Sequence, residues 1–367
     1  MIATDIAVIG GGPAGLGAAI EASKLGAKVI IVDENKDIGG QLFKQTHKFF
    51  GSYKHYAGVR GFEIGERLLK DVEKEDIKLQ LNSTAFELFG NELGVIENSN
   101  IEWIKAKKVI FSCGASEKVI HFPGWTLPGI MGAGGAQTLI NVHRVLPGKK
   151  CLMIGSGNVG LVVSYQLLQA GADVVALVEA LPKIGGYGVH ASKLRRFGVP
   201  ILTSHTIKEA YGYDKVESAT IVSIDRNWKP IPGTEKTYDV DVICLAVGLK
   251  PNIELPLMAG CETTYVSLFG GRVPLHDENM ETTAEGFYVA GDTAGVEEAD
   301  TAIDEGRLSG IAATEALGYV SVDEANNLKT EIRERLEGLR SGTFGEHRMV
   351  AKQQLIQKAN YLRGKRS

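Results

Sequence analysis

The chain has 367 residues, which suggests two domains, or two and a tail. With 44% hydrophobic and 23% charged residues it can bury a core of ordinary size, and a formal net charge of −4 leaves no basic excess for nucleic acid. Cys113, Cys151, Cys244 and Cys261 stand apart with no C-x-x-C pair, so neither a zinc site nor a redox dithiol is written here. The N-terminus lacks a basic leader, and no apolar run approaches a transmembrane length. The expectation is therefore a cytoplasmic chain with no transmembrane segment.

A short apolar run, Ile6 to Ile9, meets Gly10-Gly11-Gly12-Pro13-Ala14-Gly15, then a helical stretch and a second apolar run, Val29 to Val32. The loop fits G-x-G-x-x-G. Gly10 makes the tight turn, Gly12 lets backbone approach a pyrophosphate, and Gly15 lets helix pack on strand. Phosphates would then sit at a helix N-terminus, among free N–H groups. Asp33 follows at the position expected of a ribose-binding acid, with Glu34 as the alternative. Gly39, Gly40 and Gln41 lie where a longer ligand would continue. Beyond them, Lys44 and His47 are either residues near a flavin or ordinary loop residues. The strand Val109 to Phe111 ends at Ser112-Cys113-Gly114-Ala115, where Cys113 reads as a small buried residue beside the same site.

The strand–turn–helix–strand order recurs as Leu152 to Ile154, Gly155-Ser156-Gly157-Asn158-Val159-Gly160, Val174 to Val178 and Glu179. An acid there favours the free ribose 2′-OH of NAD(H), and the nearest base is Lys183. The other reading keeps these glycines for folding alone. Late in the chain Gly286 to Asp292 repeats a strand and turn, and a helix follows over Ala299 to Leu317. The Asp292 carboxylate after Gly291 suits a ribitol hydroxyl. Asp300, Thr301 and Ala302 open a helix whose N–H groups would face the flavin pyrimidine edge. These features together make FAD the expected occupant of the first site.

The fold class expected is α/β, with two Rossmann-like doubly wound domains and a C-terminal helical tail. An FAD domain over 1–115 and 273–320 is split by an inserted NAD-type domain over 116–272. In the tail, 321–367, Leu328, Ile332, Leu336 and Leu339 recur at helical spacing, as do Leu355, Ala359 and Leu362. A turn over Arg340 to Gly345 separates the two helices. Lys352, Lys358, Arg363, Lys365 and Arg366 make the last one basic, either as a solvated packing helix or as a subunit interface. His121, His143, His190 and His205 carry no ligand spacing, and no metal site is expected.

These motifs resemble the two-dinucleotide-binding-domain flavoproteins, the class of the thioredoxin reductases, over about residues 1 to 320. In that class Ala-Thr-Gly usually stands where Ser112-Cys113-Gly114 stands here. A closer similarity lies in Pro123-Gly124-Trp125-Thr126-Leu127-Pro128-Gly129, running on to Gln137, and in Lys44 to Ser52. Both are similar to the larger subunits of sarcosine oxidase, opine oxidase, hydrogen cyanide synthase and dye-linked proline or hydroxyproline dehydrogenases. Thioredoxin reductases place C-x-x-C where this chain has Met131 to Ala136, so a dithiol relay is excluded. The resemblance implies an FAD-containing electron-transfer subunit of an amine or imino-acid dehydrogenase, in a hetero-oligomer. Its partners would be a glycine-oxidase-like flavoprotein and a small iron–sulfur protein, with FMN or an iron–sulfur cluster at or in those subunits. The alternatives are a stand-alone NADH-dependent reductase of a small redox carrier, an NADH oxidase, or a scaffold holding a structural flavin.

Overall fold

The computed structural model describes residues 1–50 and 52–365, apart from the side chains of Thr343 and Phe344. Gly51, within the Lys44 to Ser52 stretch, and the basic residue Arg366 lie outside the described residues. The chain forms two units, Met1–Ser116 with Lys250–Ser367, and Glu117–Leu249.

The first unit begins with β1 (Ile2–Ile9), α1 (Pro13–Lys24), β2 (Val29–Val32), α2 (Gly61–Val72) and β3 (Ile77–Gln80). β4 (Ser83–Phe89), β5 (Glu92–Glu97) and β6 (Asn100–Phe111) follow. β3, β2, β1 and β6 lie parallel in that order. The first half of β6 pairs antiparallel with β5, while its last residues, Val109 to Phe111, pair in parallel with the strand Phe287–Val289. Both faces of this sheet are covered, which is why Ile6 to Ile9 and Val29 to Val32 are continuous buried apolar runs rather than alternating ones.

The second unit has the same plan. Ile201–Thr203, Asp173–Glu179, Lys150–Ile154, Val242–Leu245 and Ile130–Gly132 form one parallel sheet in that order. A three-stranded antiparallel sheet of His205–Tyr211, Ser218–Ser223 and Lys236–Asp239 accompanies it. The Pro-Gly-Trp-Thr-Leu-Pro-Gly stretch runs along this layer. Ala210 N–H donates to the Pro123 carbonyl at 2.9 Å and Val216 N–H to that of Pro128 at 2.9 Å. Gly124 (φ +83°) and Gly129 (φ +98°) are left-handed, and a Cβ on them would lie 2.1 Å from Ala210 O and 2.7 Å from Asp241 O. These two glycines are architectural.

Two expected boundaries shift. The chain returns to the first unit at Lys250, not at residue 273. Asn252 hydrogen-bonds the turn after β6, and Cys261 packs in the core that holds Val109 and Phe111. The tail belongs to the same unit. Helix Val322–Leu339 buries Ala325, Ile332 and Leu336 in that core, and helix Gly342–Gly364 buries Leu355 and Ala359 against Phe269, Val273 and Leu275. The turn between them is only Arg340 and Ser341, not Arg340 to Gly345. Gly345 lies inside the second helix, where a Cβ would stand 2.4 Å from the Arg340 carbonyl carbon, so a glycine here serves close packing on Arg340 rather than a turn. Lys352, read from the sequence as part of a solvated packing helix or of a subunit interface, is 4% exposed and buried within its own unit. Among the described residues no helix is long and apolar enough to cross a membrane.

Candidate functional site

At the end of β1 the chain turns at Gly10 (φ +97°), where a Cβ would lie 2.4 Å from Ser112 O. A Cβ on Gly15 would lie 1.8 Å from Gly10 O, so neither position admits a side chain. Gly12 differs, because nothing stands within 4 Å of its missing Cβ. Gly12 caps α1 with no side-chain hydrogen bond, Pro13 occupies the first turn, and no acid lies in that turn. The helix therefore presents its N–H groups and positive dipole end over an open glycine. Asp33 is buried and accepts the Gly11 N–H at 2.6 Å, whereas Glu34 is exposed. Of the two candidate acids, Asp33 is the one turned into the loop.

Distant segments close around this loop. Gly39 N–H donates to Gly11 O at 2.8 Å, and a Cβ on Gly40 would touch Gly12 Cα at 2.9 Å, with Gln41 exposed beyond. Gly291 (φ +64°) stands against Ala14, which packs with Ala290 and Ala302. The Thr293 hydroxyl donates to Gly114 O at 3.4 Å. Thus the glycine-rich loop, the Cys113-Gly114 turn and the Gly291-Asp292 turn form one cradle, open at Gly12. Burial pushes the Cys113 thiol up to about 12, so it stays protonated and is no thiolate relay. Lys44 closes a short 3₁₀ turn from Gly40, and the His47 ring stacks on Phe49 at 5.9 Å, on a segment anchored by buried Leu42 and Phe49.

Three contributors were not anticipated. The Ser112 hydroxyl donates to the carbonyls of Ile9 and Gly10, at 2.9 and 2.8 Å, and so holds the glycine turn. Asn252 donates to Cys113 O at 2.9 Å from its side chain and to Gly114 O at 3.0 Å from its backbone. Glu305, from mid-helix, accepts the Gly291 N–H at 3.1 Å. One expectation is corrected. Thr301 N–H donates to its neighbour Asp300 at 2.8 Å and Ala302 N–H to Glu298 O at 3.1 Å, so both amides are engaged within the helix start.

Burial, reinforced by Glu305, Glu298 and Glu297, raises the Asp292 carboxyl to about 7. In an unfolded chain an Asp titrates near ~3.9. The folded apoprotein therefore holds this proton more tightly, and the stability it contributes is present below pH ~4 and lost as pH rises through about 7. Asp292→Asn should be more stable than the wild-type apoprotein at pH 8, with the gap closing toward pH 5. Melting temperatures across that range check this; a constant gap would contradict it.

The second unit repeats the first loop. A Cβ on Gly155 (φ +104°) would lie 2.2 Å from Ala246 O and one on Gly160 2.1 Å from Gly155 O, while Gly157 is again open. Gly157 caps helix Asn158–Gln169 with no side-chain hydrogen bond and no acid in the first turn. Glu179 accepts the Ser156 N–H at 2.9 Å, as Asp33 accepts that of Gly11. Ile184-Gly185-Gly186 stands at the same spacing after Glu179 as Ile38-Gly39-Gly40 after Asp33. It folds back likewise, with Gly186 N–H on Ser156 O at 2.8 Å and Tyr187 N–H on the Asn158 side chain at 2.9 Å. Val159 is exposed at the same mouth. Where a C-x-x-C would stand, Gly134 and Gly135 open helix Ala133–Asn141 and donate their N–H groups to Glu117 at 2.7 and 3.2 Å. Cys151 and Cys244 lie 3.5 Å apart on neighbouring strands, both buried, and their proximity and burial push the Cys151 thiol well up. Among the described residues no His, Cys, Asp and Glu cluster could hold a metal ion.

The family model for pyridine nucleotide-disulphide oxidoreductase matches residues 4–306. A protein named as one of the subunits of opine oxidase in Agrobacterium tumefaciens is 28% identical, over 90% of this chain and 69% of that protein. Hydrogen cyanide synthase subunit HcnB of Pseudomonas aeruginosa is 26% identical, over 93% of this chain and 77% of that protein. Among solved structures, L-proline dehydrogenase from P. horikoshii superposes with a TM-score of 0.68 at 25% identity, over 91% of this chain. This chain spans only 59% of that one. Thioredoxin reductase from T. acidophilum, at 19% identity, shares the fold with a TM-score of 0.70, covering 86% of this chain and 99% of that one.

Proposed function

This chain belongs to the pyridine nucleotide-disulphide oxidoreductase family, and from that premise we propose that it is an FAD-containing electron-transfer subunit of an amine or imino-acid dehydrogenase. The carrying observation is a complete dinucleotide cradle in a chain with no dithiol beside it. Gly12, open over the α1 N-terminus, fits a pyrophosphate; Asp33 fits a ribose; Asp292, in its Gly-Asp turn, fits a ribitol hydroxyl. FAD bound there supplies two-electron acceptance and stepwise release, which no side chain here provides. The protein's part is to hold the pyrophosphate at α1 and to keep the site rigid through Ser112, Asn252 and Glu305.

The domain carrying this role is Met1–Ser116 with Lys250–Ser367; Glu117–Leu249 is the NAD(H)-type domain. With Glu117 on the amides of Gly134 and Gly135, the helix start that carries cysteines in dithiol reductases has neither sulfur nor outward N–H groups from those two residues. Electrons then come from a partner. The relatives whose names mark them as subunits support a hetero-oligomer. In it a glycine-oxidase-like flavoprotein would be the donor and a small iron–sulfur protein the acceptor. FMN or the cluster would lie at or in those subunits.

The intact second loop favours one further reading, a self-sufficient NADH-dependent reductase of a small carrier. Anaerobic mixing separates them. The relay reading expects the flavin of the isolated chain to stay oxidised with an imino acid, and to turn over no carrier with NADH alone. Rapid carrier reduction by NADH would favour the second reading.

A further inference from the structure

A buried ionic network joins the C-terminal helices to the Gly291 turn. Glu305, 1% exposed, uses one carboxylate oxygen to accept the Gly291 N–H at 3.1 Å. Its other oxygen meets the Arg340 guanidinium, from the turn between the two tail helices, and Lys352 Nζ at 2.9 Å, from the last helix. Arg340 also grips Glu297 in a fork, at 2.7 and 3.1 Å. His276, wholly buried, engages the Asp277 carbonyl through Nδ1 at 2.8 Å, so Nε2 is left to accept from Lys352 at 3.3 Å. Burial and the neighbouring Lys352 keep this histidine neutral. Two carboxylates thus face two cations, and the charges balance.

The pairing has a direction. Burial alone would push the Glu305 carboxyl up, but Lys352 and Arg340 outweigh it and hold the group below its usual range. Glu305 therefore stays a carboxylate, the form that best accepts the Gly291 N–H. Without either cation it becomes an under-compensated buried charge close to Asp292, and the Gly291 contact weakens. Gly291 has little freedom to adjust, since it sits at φ +64° with Ala14 and Ala302 against it.

We propose that Arg340 and Lys352 are positioning residues for the flavin site: through Glu305 the C-terminal helices clamp the Gly291-Asp292 turn, so that docking of these helices and retention of flavin are coupled. The proposal rests on the FAD reading of the first unit. Coupling of this kind is reciprocal: what the helices do for flavin affinity, flavin does for helix docking.

The test titrates full-length apoprotein with FAD by flavin fluorescence and follows hydrogen exchange over residues 342–364 with and without FAD. Lys352→Met and Arg340→Met should each weaken FAD binding by about tenfold or more, a coupling of ordinary size. Arg340→Lys should recover part of that loss. Lys329→Met removes an equally buried tail cation, paired 2.5 Å from Glu315 and away from the turn, and should change FAD affinity less than about twofold. In the wild type, FAD should slow exchange in the last helix. Wild-type affinity in Lys352→Met, or equal losses in Lys329→Met, would overturn the clamp. If the methionine variants do not fold, the wild-type exchange experiment decides, and exchange indifferent to FAD overturns it. A wild-type chain that binds no FAD would instead overturn the reading on which the clamp rests.

Discussion

Gly12→Glu should yield a folded, colourless protein. The space around the missing Cβ is empty for 4 Å, so the new side chain starts into open space. It sits at the N-cap of a helix that has no side-chain cap and no acid in its first turn, where a carboxylate is favoured by about 0.3–1 kcal/mol. The apoprotein should therefore melt at or slightly above the wild-type temperature. Flavin is another matter, because the carboxylate occupies the place of the pyrophosphate and repels it. Affinity should fall by roughly a thousandfold, about 4 kcal/mol. The matched substitution in the second unit, Gly157→Glu, enters an equally open position and should leave flavin content unchanged. Absorbance at the flavin band in the two purified variants gives the answer. Equal flavin in both would place the cofactor elsewhere.

Glu179→Ala should cost stability without costing flavin. The carboxylate is buried, accepts the N–H groups of Ser156 and Leu181 at 2.9 and 2.8 Å, and also takes the Ser156 hydroxyl. Truncation strands these donors, at about 1–3 kcal/mol for each group left without a partner. Denaturation of the variant should show an early transition from the second unit, while the flavin spectrum is retained until the first unit melts. NADH affinity, measured by fluorescence titration, should fall at least about tenfold as the ribose loses its acceptor. A colourless Glu179→Ala protein would reverse the assignment of the two sites.

Both glycine-rich loops were legible in the sequence because their glycines answer to local collisions. Gly10 and Gly15 fail to admit a Cβ for reasons contained within one strand, one turn and one helix, and Gly155 and Gly160 repeat them. The parallel strands were legible too, since burial on both faces leaves continuous apolar runs. Long-range polar contacts were not. Asn252 falls inside the inserted domain as expected from the sequence, 116–272, yet it hydrogen-bonds the Cys113-Gly114 turn that precedes that domain. Glu305 lies mid-helix with no motif around it, and Lys352 reads as a solvated tail lysine until its buried partners are seen. The Ile-Gly-Gly loop repeated after Asp33 and after Glu179 was present in the sequence, but only the folded-back geometry shows what the repeat does. Thr301 and Ala302 failed as outward donors because a first-turn Asp300 and the Glu298 carbonyl take their amides first.

The basic tail illustrates how one pattern serves two purposes. Its apolar stripe packs inside the first unit, through Leu336 and Leu355, while Arg340 and Lys352 reach further, to Glu305, whose carboxylate accepts the Gly291 N–H. A tail that only shielded a core would need neither cation at that depth, since buried charge pairs seldom stabilise more than apolar packing does.

On the relay reading, this chain carries electrons and does not itself oxidise the amine. The direct measurement is anaerobic bleaching of its flavin by proline, hydroxyproline or sarcosine, with the isolated chain and with the chain co-purified beside the proposed flavoprotein partner. The expected result is an oxidised spectrum for the isolated chain and rapid bleaching in the complex. Rapid bleaching of the isolated chain by any of these substrates would contradict it.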